Sequence, residues 1–253
     1  MTDAHITIDL DWCSDEVSDF VAEKLTQAGM RATWFATHRS AGVEELLTND
    51  SFEVGVHPNF LPGSTHGASE ENVLRHITEL LPEARCMRTH GLYQSFPMLA
   101  SAYSDFAMHV DVSLFLPYHT NLHPTNLPVG GGSLLRLPYY WEDDAEMLLH
   151  DPVWSFREVR HAGPGLRIYD FHPVHVALNI SDFGDYERLR AAHPPSRWDR
   201  AFIRKHQRKG RGTLSFFEEM LEDVQGGKTM SQLAQRVRWN QDDRDQRLNT
   251  VAV

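Results

Sequence analysis

The sequence has little cysteine and no long apolar run. Its 253 residues include only two cysteines, Cys13 and Cys86, which excludes a disulfide framework and a zinc site made of cysteines alone. No stretch approaches the roughly 18 consecutive apolar residues of a membrane-spanning helix, so no membrane insertion is expected. The first twelve residues lack the charged and then apolar pattern of a signal peptide, which predicts a cytoplasmic protein.

Basic residues are also scarce, whereas histidine is abundant. Lysine and arginine number 24 against 35 aspartates and glutamates, giving a formal net charge of −11. Because such a surface repels phosphates, binding to nucleic acid is not expected. The hydrophobic fraction of 41% is enough for a core and excludes a disordered composition. The chain has 15 histidines, too many for all of them to be catalytic, so their positions must decide their roles.

Apolar runs alternate with segments of helical periodicity along most of the chain. Strands are predicted at 5–11, 32–36, 52–56, 84–87, 106–113, 134–140 and 166–171. Helices are predicted at 14–28, around 44–47, and at 69–81, 95–104 and 214–224, with Ser14 as the first cap. This alternation predicts a largely parallel sheet in one domain. Residues 1–180 are assigned to its barrel core, and residues 181–253 to a loop, a closing helix and a tail.

Polar side chains follow nearly every predicted strand. In an α/β barrel the carboxyl ends of all strands meet on one face, where active sites lie, so these side chains are predicted to form one site. The strand-end residues are Asp9, Asp11, His57, Arg88, His90, Asp111, Trp141, Glu142, Asp143, Asp144, His172 and His175.

Asp9 and Asp11 are the first candidates for chemistry. Residues two apart in a strand point to the same face, so both carboxylates are expected in one pocket. Like charges at that distance are costly unless a cation or a shared proton lies between them. One aspartate is therefore expected to bind a divalent metal and the other to act as a general base. The alternative is a pair of surface aspartates that cap the following helix.

Histidines supply further candidate ligands, because imidazole suits zinc and similar ions. His57 closes a strand directly before Pro58, which fixes its position. His66 lies nine residues later, beyond a turn-rich segment, and requires a loop that folds back. Asn59 is the alternative ligand, through its side-chain oxygen.

His172 and Arg88 complete the predicted chemistry. His172 ends an apolar strand and can protonate a leaving group, since an unperturbed imidazole titrates near pH 6.5. The alternative is a buried histidine bonded to backbone. Arg88 is expected to orient Asp9 and keep it ionised. Four further strand-end residues are assigned to substrate binding: His90, Asp111, Trp141 and His175.

A basic run at 204–211 stands out against the acidic background. It is interpreted as a solvated loop, or alternatively as a lid or arm that contacts an anionic substrate.

In chain order these segments resemble the NodB-homology polysaccharide deacetylases, which are carbohydrate esterase family 4. The resemblance covers about residues 6–178, and the helix at 214–224 also suits it. It is similar to a divergent branch that acts in bacterial O-antigen and surface-polysaccharide biosynthesis. The matching segments are 7–11 for the paired aspartates, 31–37 for the second strand, 53–58 for the metal histidine, Arg88 for the arginine motif and 171–173 for the acid histidine.

The resemblance implies a distorted (β/α)7 barrel that removes an N-acetyl or similar N-acyl group from a carbohydrate or nucleotide-sugar. A zinc-like ion would polarise the acyl carbonyl and bind the attacking water. The implied roles are metal binding by Asp11, His57 and His66, general base for Asp9, general acid for His172, and tuning of Asp9 by Arg88.

The sequence also departs from the family pattern. Leu10 separates the two aspartates, the histidine pair is stretched, and the aspartate and tryptophan of the fourth motif are not evident, although Trp141 beside Glu142 is a candidate. Three alternatives therefore stay open: a metal-independent amide hydrolase with a non-sugar substrate, a nucleotide-sugar transferase using the Asp-x-Asp motif, and a non-catalytic sugar-binding relative.

Overall fold

Nine short strands form one sheet in the part of the chain that the computed structural model describes, residues 4–160 and 163–237. The strands are β1 (His5–Asp9), β2 (Ala32–Ala36), β3 (Phe52–Val56), β4 (Cys86–Met87), β5 (Val110–Asp111), β6 (Thr125–Val129), β7 (Gly132–Arg136), β8 (Trp141–Glu142) and β9 (Ile168–Phe171). They lie in the order β6-β7-β5-β4-β3-β2-β1-β9-β8. Each neighbouring pair is parallel except β6 and β7, which are antiparallel.

The sheet curls so that its two ends approach each other. Residues 137–140 run between them: Tyr139 N donates to Leu114 O at 3.0 Å, and Tyr140 N donates to Ile168 O at 2.9 Å. The predicted barrel-like α/β fold is confirmed. The described strands number nine rather than about seven, in part because the sequence prediction omits β6. That strand contains Pro128, which lacks an N–H donor and is tolerated because β6 lies at the edge of the sheet.

Helices connect the strands and cover the sheet. They are α1 (Asp15–Gln27), α2 (Ala41–Thr48), α3 (Glu70–Leu80), α4 (Phe96–Ser104), α5 (Asp143–Met147), α6 (Phe156–Val159), α7 (Pro173–Leu178), α8 (Phe183–Ala192), α9 (Arg200–His206) and α10 (Thr213–Asp223), with 3-10 turns at His90–Leu92 and Pro195–Arg197. Serine side chains accept the backbone N–H bonds that begin α2, α3 and α4. The expected cap Ser14 does not: its hydroxyl donates to Trp198 O at 2.5 Å instead.

Large aromatic side chains fix the sheet against the last helices. Trp141 is buried and stacks on Phe216 of α10, with ring centroids 4.1 Å apart and planes 4° apart. Phe171, at the end of β9, packs edge-on against Phe217 at 4.9 Å. Burying such a side chain contributes about 1.5–3 kcal/mol. This packing holds the ends of β8 and β9, which carry polar residues of the site.

Residues 181–212 are more ordered than the polar composition predicts, since they contain α8 and α9. The basic run begins inside α9 and continues as a loop, and all of its lysines and arginines are exposed. Two of them pair with acidic residues: Arg208 with Asp185 at 2.8 Å and Arg211 with Glu158 at 3.4 Å. This exposure agrees with the solvated interpretation of the run.

The assignment of 181–253 to the same domain stays a prediction, and its tail, 238–253, lies outside the described residues. Among the described helices, none has the length and apolar character needed to cross a bilayer. The cytoplasmic location also stays a prediction.

Candidate active site

The carboxyl ends of β1, β3, β4, β8 and β9 bring a set of charged side chains to one edge of the sheet. Most of these side chains are buried, so their charges must be balanced by one another or by a bound ligand. The set comprises Asp9, Asp11, His57, Arg88, His90, Asp143, Asp144, Asp170, His172 and His175.

Asp11 reaches this set through a turn and not along the strand. β1 ends at Asp9, and Cys13 N then donates to Leu10 O at 3.0 Å, closing the turn. Asp11 and Trp12 both have positive φ, at 41° and 53°, a conformation that is strained for residues other than glycine. The sequence predicts that strand alternation brings Asp11 close to Asp9. The two residues do lie close together, but the turn after β1 causes this.

Three potential ligand atoms surround one point. His57 Nε2 lies 3.2 Å from Asp11 Oδ1, His90 Nδ1 lies 2.9 Å from the same oxygen, and the two nitrogens are 3.3 Å apart. Ligands about 2.0–2.1 Å from a tetrahedral zinc ion would be roughly 3.3–3.4 Å from one another. Asp11 Oδ1 is buried and makes no hydrogen bond within the described chain. The trio therefore fits a divalent ion in spacing and in donor type.

The two imidazoles also determine the charge state of Asp11. Burial alone would raise the pKa of Asp11, but the neighbouring His57 and His90 hold that pKa well below its usual value. Asp11 is thus an ionised carboxylate, as a metal ligand must be.

His66 lies beside this trio rather than in it. Its Nδ1 accepts a hydrogen bond from Asn59 N at 3.1 Å, and its ring packs 5.6 Å from that of Trp12. Burial and His76 lower the pKa of His66 to about 4. Asn59, the other candidate, uses its side-chain oxygen to accept from Leu61 N at 2.9 Å. His90, which follows β4, occupies the ligand position that the sequence predicts for His66 or Asn59.

Arg88 holds two carboxylates in the floor of the site. Its Nη1 lies 3.0 Å from Asp9 Oδ1 and also contacts Asp170 Oδ1. The guanidinium is fully buried between the rings of Phe35 and Tyr139, with its centre 4.9 and 4.3 Å from their centroids. Burial raises the pKa of Asp170 well above its usual value, although Arg88 opposes that rise. Asp9 keeps its second oxygen, Oδ2, directed toward His57 Nε2 at 3.6 Å.

His172 is oriented by Asp143, the first residue of α5. The Asp143 carboxylate contacts His172 Nδ1 at 2.7 Å and accepts from His172 N at 2.9 Å. Burial would lower the pKa of His172, but Asp144 and Asp143 raise it well above its usual value. The other ring nitrogen, Nε2, lies 3.7 Å from Asp11 Oδ2 and so faces the ligand trio.

The remaining predicted substrate contacts lie in different places. Asp111 is fully buried and paired with Arg136 at 2.7 Å, and Trp141 points into the core, so neither lines the site. His175 is buried beside Asp143 and Asp144. His90 belongs to the ligand trio.

A cleft of about 590 Å³ opens over Asp11 and His90. Its walls carry two aromatic rings, Trp12 and Tyr186, and its rim is formed by α8 and residues 194–196. A larger groove of about 800 Å³, between α1 and α2, contains none of the strand-end residues. The smaller cleft is therefore the better candidate for substrate entry.

Three functional candidates received no role from the sequence: Asp143, Asp144 and Asp170. Asp170 is the only charged residue in the strand Ile168–Phe171. A buried carboxylate needs a partner, so its position in this strand could have identified it as a candidate. The two adjacent aspartates follow β8 directly and are grouped with His172 among the strand-end residues, but no particular role is predicted for them from the sequence.

Comparison with known proteins identifies a hydrolase of the polysaccharide deacetylase class. Residues 6–190, more than half of the chain, match the model of the family described as WbmS-like polysaccharide deacetylase, and the chain belongs to that family. Comparison with curated proteins gives no significant match.

Solved structures share the fold. A Bordetella bronchiseptica protein, WbmS, assigned as a polysaccharide deacetylase involved in O-antigen biosynthesis, is 28% identical, with a TM-score of 0.75 over 87% of this chain and 90% of that one. The peptidoglycan deacetylase PdaC from Bacillus subtilis shares the fold, with 11% identity and a TM-score of 0.50 over 97% and 96% of the two chains. A 4-alpha-glucanotransferase from Thermococcus litoralis has 12% identity and a TM-score of 0.51, over 92% of this chain and 38% of that one.

Proposed function

We propose that this protein hydrolyses an N-acetyl or similar N-acyl group from a sugar, releasing the carboxylate and the free amino sugar. The observation that carries the proposal is the position of Asp9, held by Arg88 on one side and facing the Asp11, His57 and His90 trio on the other. His172 lies close to both: one of its ring nitrogens is within 4.8 Å of an Asp9 oxygen, and its Nε2 is 3.7 Å from Asp11 Oδ2, so an acid and a base share one reaction centre.

The metal ligands in this proposal are Asp11, His57 and His90. Two imidazoles and one carboxylate suit zinc and similar transition ions and leave coordination positions open. A divalent ion bound there would supply Lewis-acid activation of the acyl carbonyl and of the attacking water.

Asp9 is the general base. Arg88 binds Oδ1 at 3.0 Å and fixes the orientation of the carboxylate, which leaves Oδ2 free to take a proton from water. Asp170 on the other side of Arg88 keeps the guanidinium in place. The Arg88 side chain therefore acts through Asp9 as a positioning residue.

His172 is the general acid. Asp143 binds its Nδ1, so the proton for the leaving amine is carried on Nε2, which faces the centre. The nearby carboxylates raise the pKa of His172 although burial opposes them, and this favours the protonated form that an acid requires.

Substrate class follows from the cleft and the relative. Trp12 offers an aromatic ring against which a sugar can pack, and the cleft volume of about 590 Å³ lies in the usual range for a small ligand. Because the 28% identical WbmS is assigned to O-antigen biosynthesis, we propose an N-acylated sugar of a bacterial surface polysaccharide, as a nucleotide-sugar or a longer glycan.

Acetate release tests this proposal. Zinc-supplemented protein is incubated with nucleotide-linked N-acetyl sugars and, in parallel, with lipid-linked N-acetylated glycans, and acetate is measured by a coupled enzymatic assay. We expect release from one class and its loss, by at least 100-fold, in Asp9→Asn, because a positioned base contributes about 10²–10⁴ to the rate.

Asp50→Asn is the matched control, since Asp50 is exposed and remote from the strand ends, and it should keep full activity. Equal turnover by Asp9→Asn and wild type would remove Asp9 as the base. Hydrolysis of non-sugar amides with no release from either glycan class would favour the amide-hydrolase alternative, and sugar transfer would favour the transferase.

A further inference from the structure

We propose that the chain holds a second divalent-cation site, formed by Asp143, Asp144 and His175 and separated from the first by His172. This site goes beyond the proposed function and does not depend on it, because it is defined by its own ligands.

The ligand atoms converge as in the first trio. His175 Nδ1 lies 3.3 Å from Asp143 Oδ1 and 3.2 Å from Asp144 Oδ1. These spacings are close to the roughly 3.3–3.4 Å expected between ligands of one tetrahedral ion with bonds of about 2.0–2.1 Å. Together with His172, the three residues form a group in which all ligand atoms lie within 4.8 Å of one another.

His175 and Asp144 carry buried polar atoms that make no hydrogen bond with any described residue, although His175 Nδ1 lies within 3.3 Å of two carboxylates. His175 is 1% exposed, yet neither of its ring nitrogens makes a hydrogen bond within the described chain. Asp144 Oδ1 is also buried and without such a bond. A cation at this position would use the imidazole lone pair and the two carboxylates together.

The local backbone explains how these ligands meet. Asp143 and Asp144 begin α5, and His175 lies in the first turn of α7, three residues after His172 and so on the same side. The Tyr186 ring packs edge-on against His175 at 4.5 Å.

His172 separates the two sites. Its Nε2 lies 3.7 Å from Asp11 Oδ2 and 3.8 Å from Asp144 Oδ2, while its Nδ1 is bound to Asp143. A cation on Asp143 would therefore act on His172 through the shared carboxylate. Two other carboxylates near His172, those of Asp9 and Asp170, are paired with Arg88 and need no further cation.

Counting bound zinc tests the proposal without an activity assay. Full-length protein is stripped with a chelator, incubated with Zn²⁺, desalted and analysed for zinc per chain. We expect two ions in the wild type, one in Asp144→Asn, one in Asp11→Asn and none in the double variant. Asp144→Asn is isosteric and its side chain is 35% exposed, so the fold should tolerate it, which circular dichroism checks.

Asp151→Asn is the matched control, because Asp151 also pairs with a histidine, His150, but both side chains are more than 90% exposed. It should bind as many ions as the wild type. His175→Gln provides an independent second variant and should also lose one ion. The second site would be overturned if the wild type bound one ion and Asp144→Asn kept it, or if both variants still bound two ions. Acetate release would still test the proposed function separately.

Discussion

Replacing Arg88 by methionine should strongly destabilise the protein. The guanidinium is fully buried and contacts both Asp9 and Asp170, which are themselves 3% and 0% exposed. Methionine keeps much of the side-chain volume but leaves two buried carboxylates without their cation. Removing one partner of a buried ion pair costs about 3–5 kcal/mol, and the lost contact with the Phe35 and Tyr139 rings adds to this cost.

The free energy of unfolding is measured by urea denaturation followed by tryptophan fluorescence. A loss of this size should also lower Tm by roughly 10 °C, taking about 2–4 °C per kcal/mol for a chain of this length. Arg75→Met is the matched control: Arg75 pairs with Glu71 on the exposed face of α3, where an ion pair contributes about 0.2–1 kcal/mol. Equal effects of the two substitutions would refute the reasoning.

The pH dependence of the Arg88→Met variant gives a second check. Burial already raises the pKa of Asp170, and removal of Arg88 takes away the group that opposes this. An unfolded carboxyl group has a pKa of about 4, and above this pH the folded variant binds more protons than the unfolded chain. The stability of the variant should therefore fall as pH rises from about 4. The deficit relative to wild type should therefore be larger at pH 7 than at pH 4, and a pH-independent deficit would contradict the electrostatic cause.

Two further substitutions test the packing behind the site. Gly55→Ala in β3 should destabilise by about 1–3 kcal/mol, since the added methyl would lie 2.6 Å from Cys86 O and 2.9 Å from the Phe35 ring; a neutral result in urea denaturation would show that β3 and β4 can separate. Trp141→Ala should cost about 3–5 kcal/mol because it empties the stack on Phe216, while zinc binding stays unchanged. Intact stability with weakened substrate affinity would instead return Trp141 to the substrate site.

The fold could be predicted largely from hydrophobic periodicity. The central strands β1, β2, β3 and β9 appear in the sequence as short apolar runs, because parallel strands are buried on both faces. The prediction missed β6, whose residues are mostly exposed, and the helices α5 to α9, of which α8 has apolar residues with little helical periodicity. Their positions depend on contacts with the rest of the chain and not on local pattern.

Strand-end position also found most of the candidate site. It singled out Asp9, Asp11, His57 and His172, since a polar residue directly after a buried strand has to face the barrel edge. It left the second metal ligand open between His66 and Asn59 and assigned His90 to substrate binding, because local pattern does not show how the chain turns after β3 and β4. It placed Asp143 and Asp144 in the same site as His172 but not in direct contact with it, because that pairing joins residues nearly 30 positions apart.

The central claim is that acetate release depends on an ion held by Asp11, His57 and His90. The most direct test removes metal from wild type, His90→Gln and His66→Gln with a chelator, returns Zn²⁺, and measures acetate release from the glycan substrate at each stage. Chelation should abolish acetate release, zinc should restore release in wild type and largely in His66→Gln, and His90→Gln should recover less than one hundredth of it. Full release after chelation, or full recovery in His90→Gln with loss in His66→Gln, would contradict it.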